Sequence, residues 1–261
     1  MNRALQIIIP IALGIAVLAL WQYLVRAYQV PAYVLPAPSD IWIAFIENFS
    51  SLMASLWTTL SITLLAMVLA FAGSVLLAIL FLQSRTIETA LYPYAVILQV
   101  TPVIAIAPLI LIWVGLEHIN RALLILAWIV AFFPLLANTL LGLKSADHNL
   151  MDLFRLYGAN RWQILWKLQL PTALPNMLAG ARISGGLALI GTVVAEFAAG
   201  SGTATGLGWR IVEAGNRLEI ARMFAALALL SVLGIAIFFA LSLVEYGLLR
   251  RWHESALKKQ A

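Results

Sequence analysis

The chain contains no cysteine, so neither disulfides nor thiolate metal ligands contribute to its fold or chemistry. Charge is also scarce. Asp, Glu, Lys and Arg make up 10% of the residues, where a soluble domain carries about a quarter. No charged residue lies between Arg3 and Arg26, Glu47 and Arg85, Glu88 and Glu117, Arg121 and Lys144, or Arg222 and Glu245. Each gap has room for the roughly 20 apolar residues of a membrane helix. With 63% hydrophobic residues and a mean hydropathy of +0.98, the composition excludes a soluble domain.

Catalytic sets are missing as well. His118, His148 and His253 fall in connectors or the tail without metal-ligand spacing, and no Ser or Thr has an identifiable base partner. Gly186 and Gly191 are spaced like a phosphate loop, but Thr192-Val193 follows where Lys and a hydroxyl residue are required. The glycines from Gly200 to Gly208 miss the dinucleotide spacing and follow a membrane helix, not a strand. Neither a metal nor a cofactor is therefore expected in this chain. The net charge of +5 points to membrane topology and anionic lipid, not to nucleic acid.

What remains is an all-α integral membrane protein, read as one permease-type domain over 1–261 with six spans. The spans are about 4–27, 57–82, 91–115, 122–143, 177–199 and 223–248. The first is longer than a secretory h-region and reads as an uncleaved helix. The fifth must include Glu196 near one end and Arg182 near the other. Placing both termini in the cytoplasm puts Lys144, Arg155, Arg161, Lys167, Arg250, Arg251, Lys258 and Lys259 inside, as the positive-inside rule demands.

Within this frame a few places are unusual. After Pro36 and Pro38, Ser39 or Asp40 reads as the cap of a short surface helix. The third span carries Pro93, Pro102 and Pro108 and reads as a kinked helix, for packing or to line a polar path beside Gln99 and Thr101. Asn138 in the fourth span is expected to bond a neighbouring helix. Glu196 lies at membrane depth, and intramembrane carboxylates are costly. It either gates a pathway or pairs with Arg210, Arg217 or Arg222. Glu245 is expected to pair with Arg250 or another tail cation. From polarity and depth, the pathway candidates are Gln99, Thr101, Asn138, Thr192 and Glu196.

The segment from Lys144 to about 176 stands apart as a polar, basic connector. Leu150, Leu153, Phe154 and Tyr157 recur at helical spacing. Gly158 ends that helix, Asn160 and Gln163 form a capping box, and Trp162, Leu165, Trp166 and Gln169 share one side of the next. Pro171 is expected to stop it. Helix, glycine corner, helix and proline stop together describe an amphipathic lever on one side of the bilayer.

These residues resemble a known loop. Gly158, Leu168-x-Leu170-Pro171 and Pro175 are similar to the cytoplasmic EAA loop of permease subunits of ABC importers, whose pattern is Glu-Ala-Ala, three residues, Gly, nine residues, Ile-x-Leu-Pro. The Glu position falls on Asp152, the Ala pair on Leu153 and Phe154, and the Ile on Leu168. Pro36-Ala-Pro38-Ser39, Thr101-Pro102, Trp113-Val-Gly115 and Gly206-Leu-Gly208 resemble the branch serving nitrate, taurine, sulfonate and thiamine-precursor uptake.

The resemblance implies a multi-pass subunit of a bacterial inner membrane that admits a small polar, anionic or heterocyclic solute. It implies two ABC ATPase subunits that bind ATP and magnesium, a second permease (most simply an identical copy), and a periplasmic or lipid-anchored binding protein. It further implies that Asp152, Leu153, Phe154, Tyr157, Gly158, Ala159, Leu170 and Pro171 form the ATPase-coupling element. The alternative is a stand-alone secondary transporter or channel, which would need acidic groups deeper in the spans than Glu196 and Glu245.

Overall fold

The computed structural model describes residues 3–199 and 205–250, and among these all regular structure is helical. Part of the glycine-rich segment, 200–204, and the tail 251–261 with Arg251, His253, Lys258 and Lys259 lie outside the described residues. The helices are α1 Arg3–Ala27, α2 Pro38–Glu47, α3 Phe49–Gln83, α4 Arg85–Val100, α5 Val103–Val114, α6 Ile119–Lys144, α7 His148–Leu156, α8 Arg161–Ile164, α9 Leu170–Ala199, α10 Leu207–Asn216 and α11 Ile220–Leu249. Five uninterrupted spans are long and apolar enough to cross a membrane, that of α8 and α9 running as one from Arg161 to Ala199. The bent pair α4–α5 makes a sixth if its arms are counted together.

That pair corrects the expectation of one kinked span over 91–115. The chain bends by 102° between α4 and α5. Pro102 lacks the N–H that would continue the ladder, and it holds Thr101 extended at φ −68°, ψ 123°. The carbonyl of Ile97 accepts the last bond of α4, from the Thr101 N–H at 3.1 Å, and also the Thr101 hydroxyl at 2.7 Å. Pro93 and Pro108 lie inside α4 and α5 without breaking them.

Pro171 behaves in the opposite way to expectation. It does not stop the helix. Residues Leu165–Gln169 form a π turn, in which the Leu170 N–H donates to Leu165 O, five residues back. Widening the helix there lets it pass through Pro171, whose ring would otherwise strike the carbonyl of residue 167. The span expected from 177 thus begins at Arg161.

The chain forms two compact units, Thr59–Ala204 with Val232–Ala261, and Met1–Thr58 with Thr205–Ser231. In the former, α6 and α9 make the centre. In their apolar stretches 56% and 61% of residues are buried, against 6% in α1 and 11% in α11, whose outward side chains suit hydrocarbon. The two central helices approach through small residues. A Cβ added at Gly142 would lie 2.9 Å from Ala173 O, at Gly180 2.7 Å from Asn138 Cβ, and at Gly191 3.1 Å from Ala127 Cα. Without a hydrophobic drive between helices in lipid, such close backbone approach is the main source of packing energy. Phe81, Phe132, Leu135, Leu136, Leu143 and Leu165 fill the space around it. On the α11 side, Gly185 admits Leu241, and Arg182 pairs with Glu245 at 3.0 Å, which corrects the expected pairing of Glu245 with the tail.

In the other unit, the end of α1 holds α2. Arg26 pairs with Asp40 at 2.6 Å, and Gln22 exchanges two 3.1 Å bonds with Ser39. The cap of α2 is Ala37, not Ser39 or Asp40. Pro38 takes the first helical position, and Asp40 reaches back to the Ala37 N–H. On α10, Glu213 accepts from Arg210 at 2.7 Å and from Arg217 at 2.9 Å.

The hydrogen bond from Arg210, with its charge and those of Arg217 and Arg222, holds the Glu213 carboxyl below the ordinary carboxylate range. A lowered folded pKa contributes stability above the unfolded value, and that contribution is lost as pH falls through the folded one. The protection of α10 amides, taken relative to the intrinsic exchange rate at each pH, should therefore fall on acidification from neutrality to about pH 3, and Glu213→Gln should flatten that response. In the core, Gly142→Leu should lower the detergent melting temperature, with overpacking of roughly 1–3 kcal/mol. Gly186→Leu, where nothing lies within 4 Å, should not.

Candidate functional site

Two places carry the unusual chemistry, and one continuous helix runs between them. The first is the connector after α6. Asp147 caps α7, its carboxylate accepting the Asn149 N–H at 2.7 Å. The other end closes by a Schellman turn. Gly158 takes φ +73°, its N–H donates to Arg155 O at 2.9 Å, and the Ala159 N–H donates to Phe154 O at 3.0 Å. Nothing lies within 4 Å of a Cβ placed on Gly158, so glycine is needed there for its backbone and not for space. Asn160 and Gln163 then exchange reciprocal 2.8 Å bonds that open α8.

This geometry divides the loop side chains. Phe154, with Met151 and Ala159, packs inward on Ala146, Ile164 and Leu168. Asp152, Leu153 and Tyr157 face outward, and Asp152 pairs with Arg155 at 3.1 Å. Leu156, not singled out from sequence, is 85% exposed beside Tyr157 at 84%. Its spacing of three from Leu153 was the available signal. The supposed common face of Trp162, Leu165, Trp166 and Gln169 is split. Trp162 and Trp166 are exposed while Leu165 and Gln169 are buried, because the π turn shifts the register after Ile164. Leu170 is half-buried and Pro171 exposed, both at the start of α9.

The second place is a buried line of hydroxyls ending on a carboxylate. Thr59, Thr63, Thr192 and Glu196 all have no exposed surface. The Thr59 hydroxyl donates to Glu196 Oε1 at 2.7 Å, and Thr63 and Thr192 meet at 3.1 Å. Thr63 also reaches Thr59 O, and Thr192 reaches Ala188 O. The arginines considered as partners of Glu196 are engaged elsewhere, Arg210 and Arg217 with Glu213 and Arg222 with Glu219 at 2.9 Å. Thr59 and Thr63 were missed from sequence, since threonines in an apolar run look like tolerated packing residues. The other pathway candidates do not join them. Gln99 is exposed near the end of α4 and Thr101 sits in the break. Asn138 bonds Pro134 O of its own helix at 2.7 Å and packs on Gly180.

The bundle of spans thus carries an exposed helical corner, and the helix that continues from it holds a buried polar line. The sequence pattern of the family described as binding-protein-dependent transport system inner membrane component covers residues 70–254. This chain belongs to that family.

Among relatives, the riboflavin transport system permease protein RibX of Chloroflexus aurantiacus is 35% identical over 94% of this chain and 91% of its own. The formylaminopyrimidine transport permease protein ThiX of Halalkalibacterium halodurans is 32% identical over 95% and 98%. The putative aliphatic sulfonates transport permease protein SsuC of Bacillus subtilis is 33% identical over 92% and 85%. The fold matches the MetNI methionine ABC transporter in an inward-facing form, with TM-score 0.64 and 20% identity over 77% of this chain and 97% of that one. An amino acid ABC transporter crystallised with histidines matches at TM-score 0.65 and 15% identity over 80% and 97%. Membership makes the chain a multi-pass inner-membrane component of a binding-protein-dependent transport system.

For this transport subunit, Thr59→Val should be more damaging than Glu196→Gln. The valine removes a donor from a buried carboxylate, a loss of about 1–3 kcal/mol. Glutamine keeps an acceptor for Thr59. Melting of the purified protein in detergent would rank the two.

Proposed function

We propose that the chain is the pathway-forming permease of an ATP-driven importer, with the α7 corner as the point where its ATPases push. The carrying observation is the exposed row Leu150, Leu153, Leu156 and Tyr157 on a helix whose end is pinned by the Gly158 turn. An exposed apolar row on a rigid corner is a binding surface for a protein groove. From that corner the chain enters α8 and continues without interruption through the π turn into α9, where Thr192 and Glu196 lie. At 1.5 Å per residue, Leu170 and Glu196 are roughly 40 Å apart along one rod. Displacement of the loop is thereby delivered to the polar line.

The assembly we infer has two such permeases, identical in the simplest case, and two ATPases holding ATP and magnesium. An external binding protein delivers the solute. ATP binding in the partners biases a two-state bundle, and the lever transmits that bias. The basic residues of the loop support a cytoplasmic position for it and for both termini. Relatives named for formylaminopyrimidine, riboflavin and aliphatic sulfonates support a small heterocyclic or anionic solute.

The test is co-purification with candidate ATPases. The parent chain should retain an ATPase in detergent and respond to a loaded binding protein. Leu156→Glu should insert normally and lose the ATPase. Gly158→Val, which strains a left-handed residue by about 1–2 kcal/mol, should weaken retention by about tenfold. Equal retention by all three would refute the docking assignment. Solute flux in liposomes without any ATPase would favour a stand-alone transporter.

A further inference from the structure

A cavity of about 580 Å³ lies where α3 and α6 end and α4 begins, beside the start of the connector and apart from the buried polar line. Its size falls within the roughly 300–1,000 Å³ of ligand clefts. Arg85, Glu88, Thr89, Tyr92 and Lys144 line it, over an apolar floor that includes Phe81. Lys144 and Glu88 form an ion pair across it, and both remain partly exposed, at 46% and 25%. Arg85 makes no ion pair among the described residues. The cavity thus offers two cations and one carboxylate, with a hydroxyl and a phenol between them.

We infer that this cavity holds the headgroup of an aminophospholipid, with the phosphodiester on Arg85 and Lys144 and the ammonium on Glu88. Charge complementarity carries the assignment. A purely anionic ligand would leave Glu88 competing with it for Lys144, whereas a zwitterion that carries both an ammonium and a phosphate has a partner for every charged group. Position carries the choice of lipid over a soluble compound. Gln83 and Lys144 are the last residues of two spans, so the cavity opens where helices leave the hydrocarbon, and its apolar floor suits the glycerol and upper acyl carbons. Arginine gives bidentate geometry to phosphate, and lysine a point charge. The inference does not depend on which solute is carried or on which leaflet the cavity faces.

Native mass spectrometry of the complex with its ATPase tests this, titrating phosphatidylethanolamine, phosphatidylcholine and phosphatidylglycerol of equal chain length. The parent should bind phosphatidylethanolamine most tightly, since the choline headgroup has no N–H for Glu88. Arg85→Gln should weaken all three by about tenfold, as loss of a charge-assisted bond to phosphate does. Glu88→Gln should abolish the preference for ethanolamine over choline, a ratio that partial unfolding would not alter. An unchanged ratio in Glu88→Gln would overturn the assignment, as would phosphatidylglycerol binding tightest. Displacement of the lipid by phosphoethanolamine at equal concentration would overturn it in favour of a soluble phosphate compound.

Discussion

The close approach of α6 and α9 is the constraint on which the rest depends. Lipid tails are as apolar as leucine, so these helices gain little from burial alone. Gly142, Gly180 and Gly191 instead bring backbone and short side chains of the partner helix to the edge of contact. Packing at that distance is unforgiving, because interiors this dense do not deform gradually. A rigid pair can carry displacement along its length. The same pair sets the position of Thr192 and Glu196 at one end and of the connector at the other.

Prolines divide the labour in a way their identity does not announce. Pro102 breaks a helix through 102°, because it acts together with the extended Thr101 and no wider turn relieves it. Pro171 is carried inside a continuous helix, because a π turn precedes it. The first outcome makes a bent element of α4–α5. The second leaves one helix running from Arg161 to Ala199 without a joint.

Much of the connector was legible in the sequence. Asn160 with Gln163 signals a cap through short-range chemistry, and Gly158 after an amphipathic run signals a left-handed end. The faces were read less well. Phe154 turns inward and Leu156 outward, since which side of α7 is covered depends on Ala146, Ile164 and Leu168 arriving from the neighbouring turns. Gln99, Thr101 and Asn138 share polarity and depth with Thr192 and Glu196, and neither property says which helix faces which.

The membrane class, the helical content and the caps follow from composition, periodicity and local hydrogen bonding, which act over a few residues and leave their mark in the chain. The pairing of Arg182 with Glu245, the passage of a helix through Pro171 and the meeting of Thr59 with Glu196 were decided by tertiary structure. Each joins groups far apart in sequence or trades local strain against packing. Such choices are settled by the energy of the whole bundle and not by any segment of it.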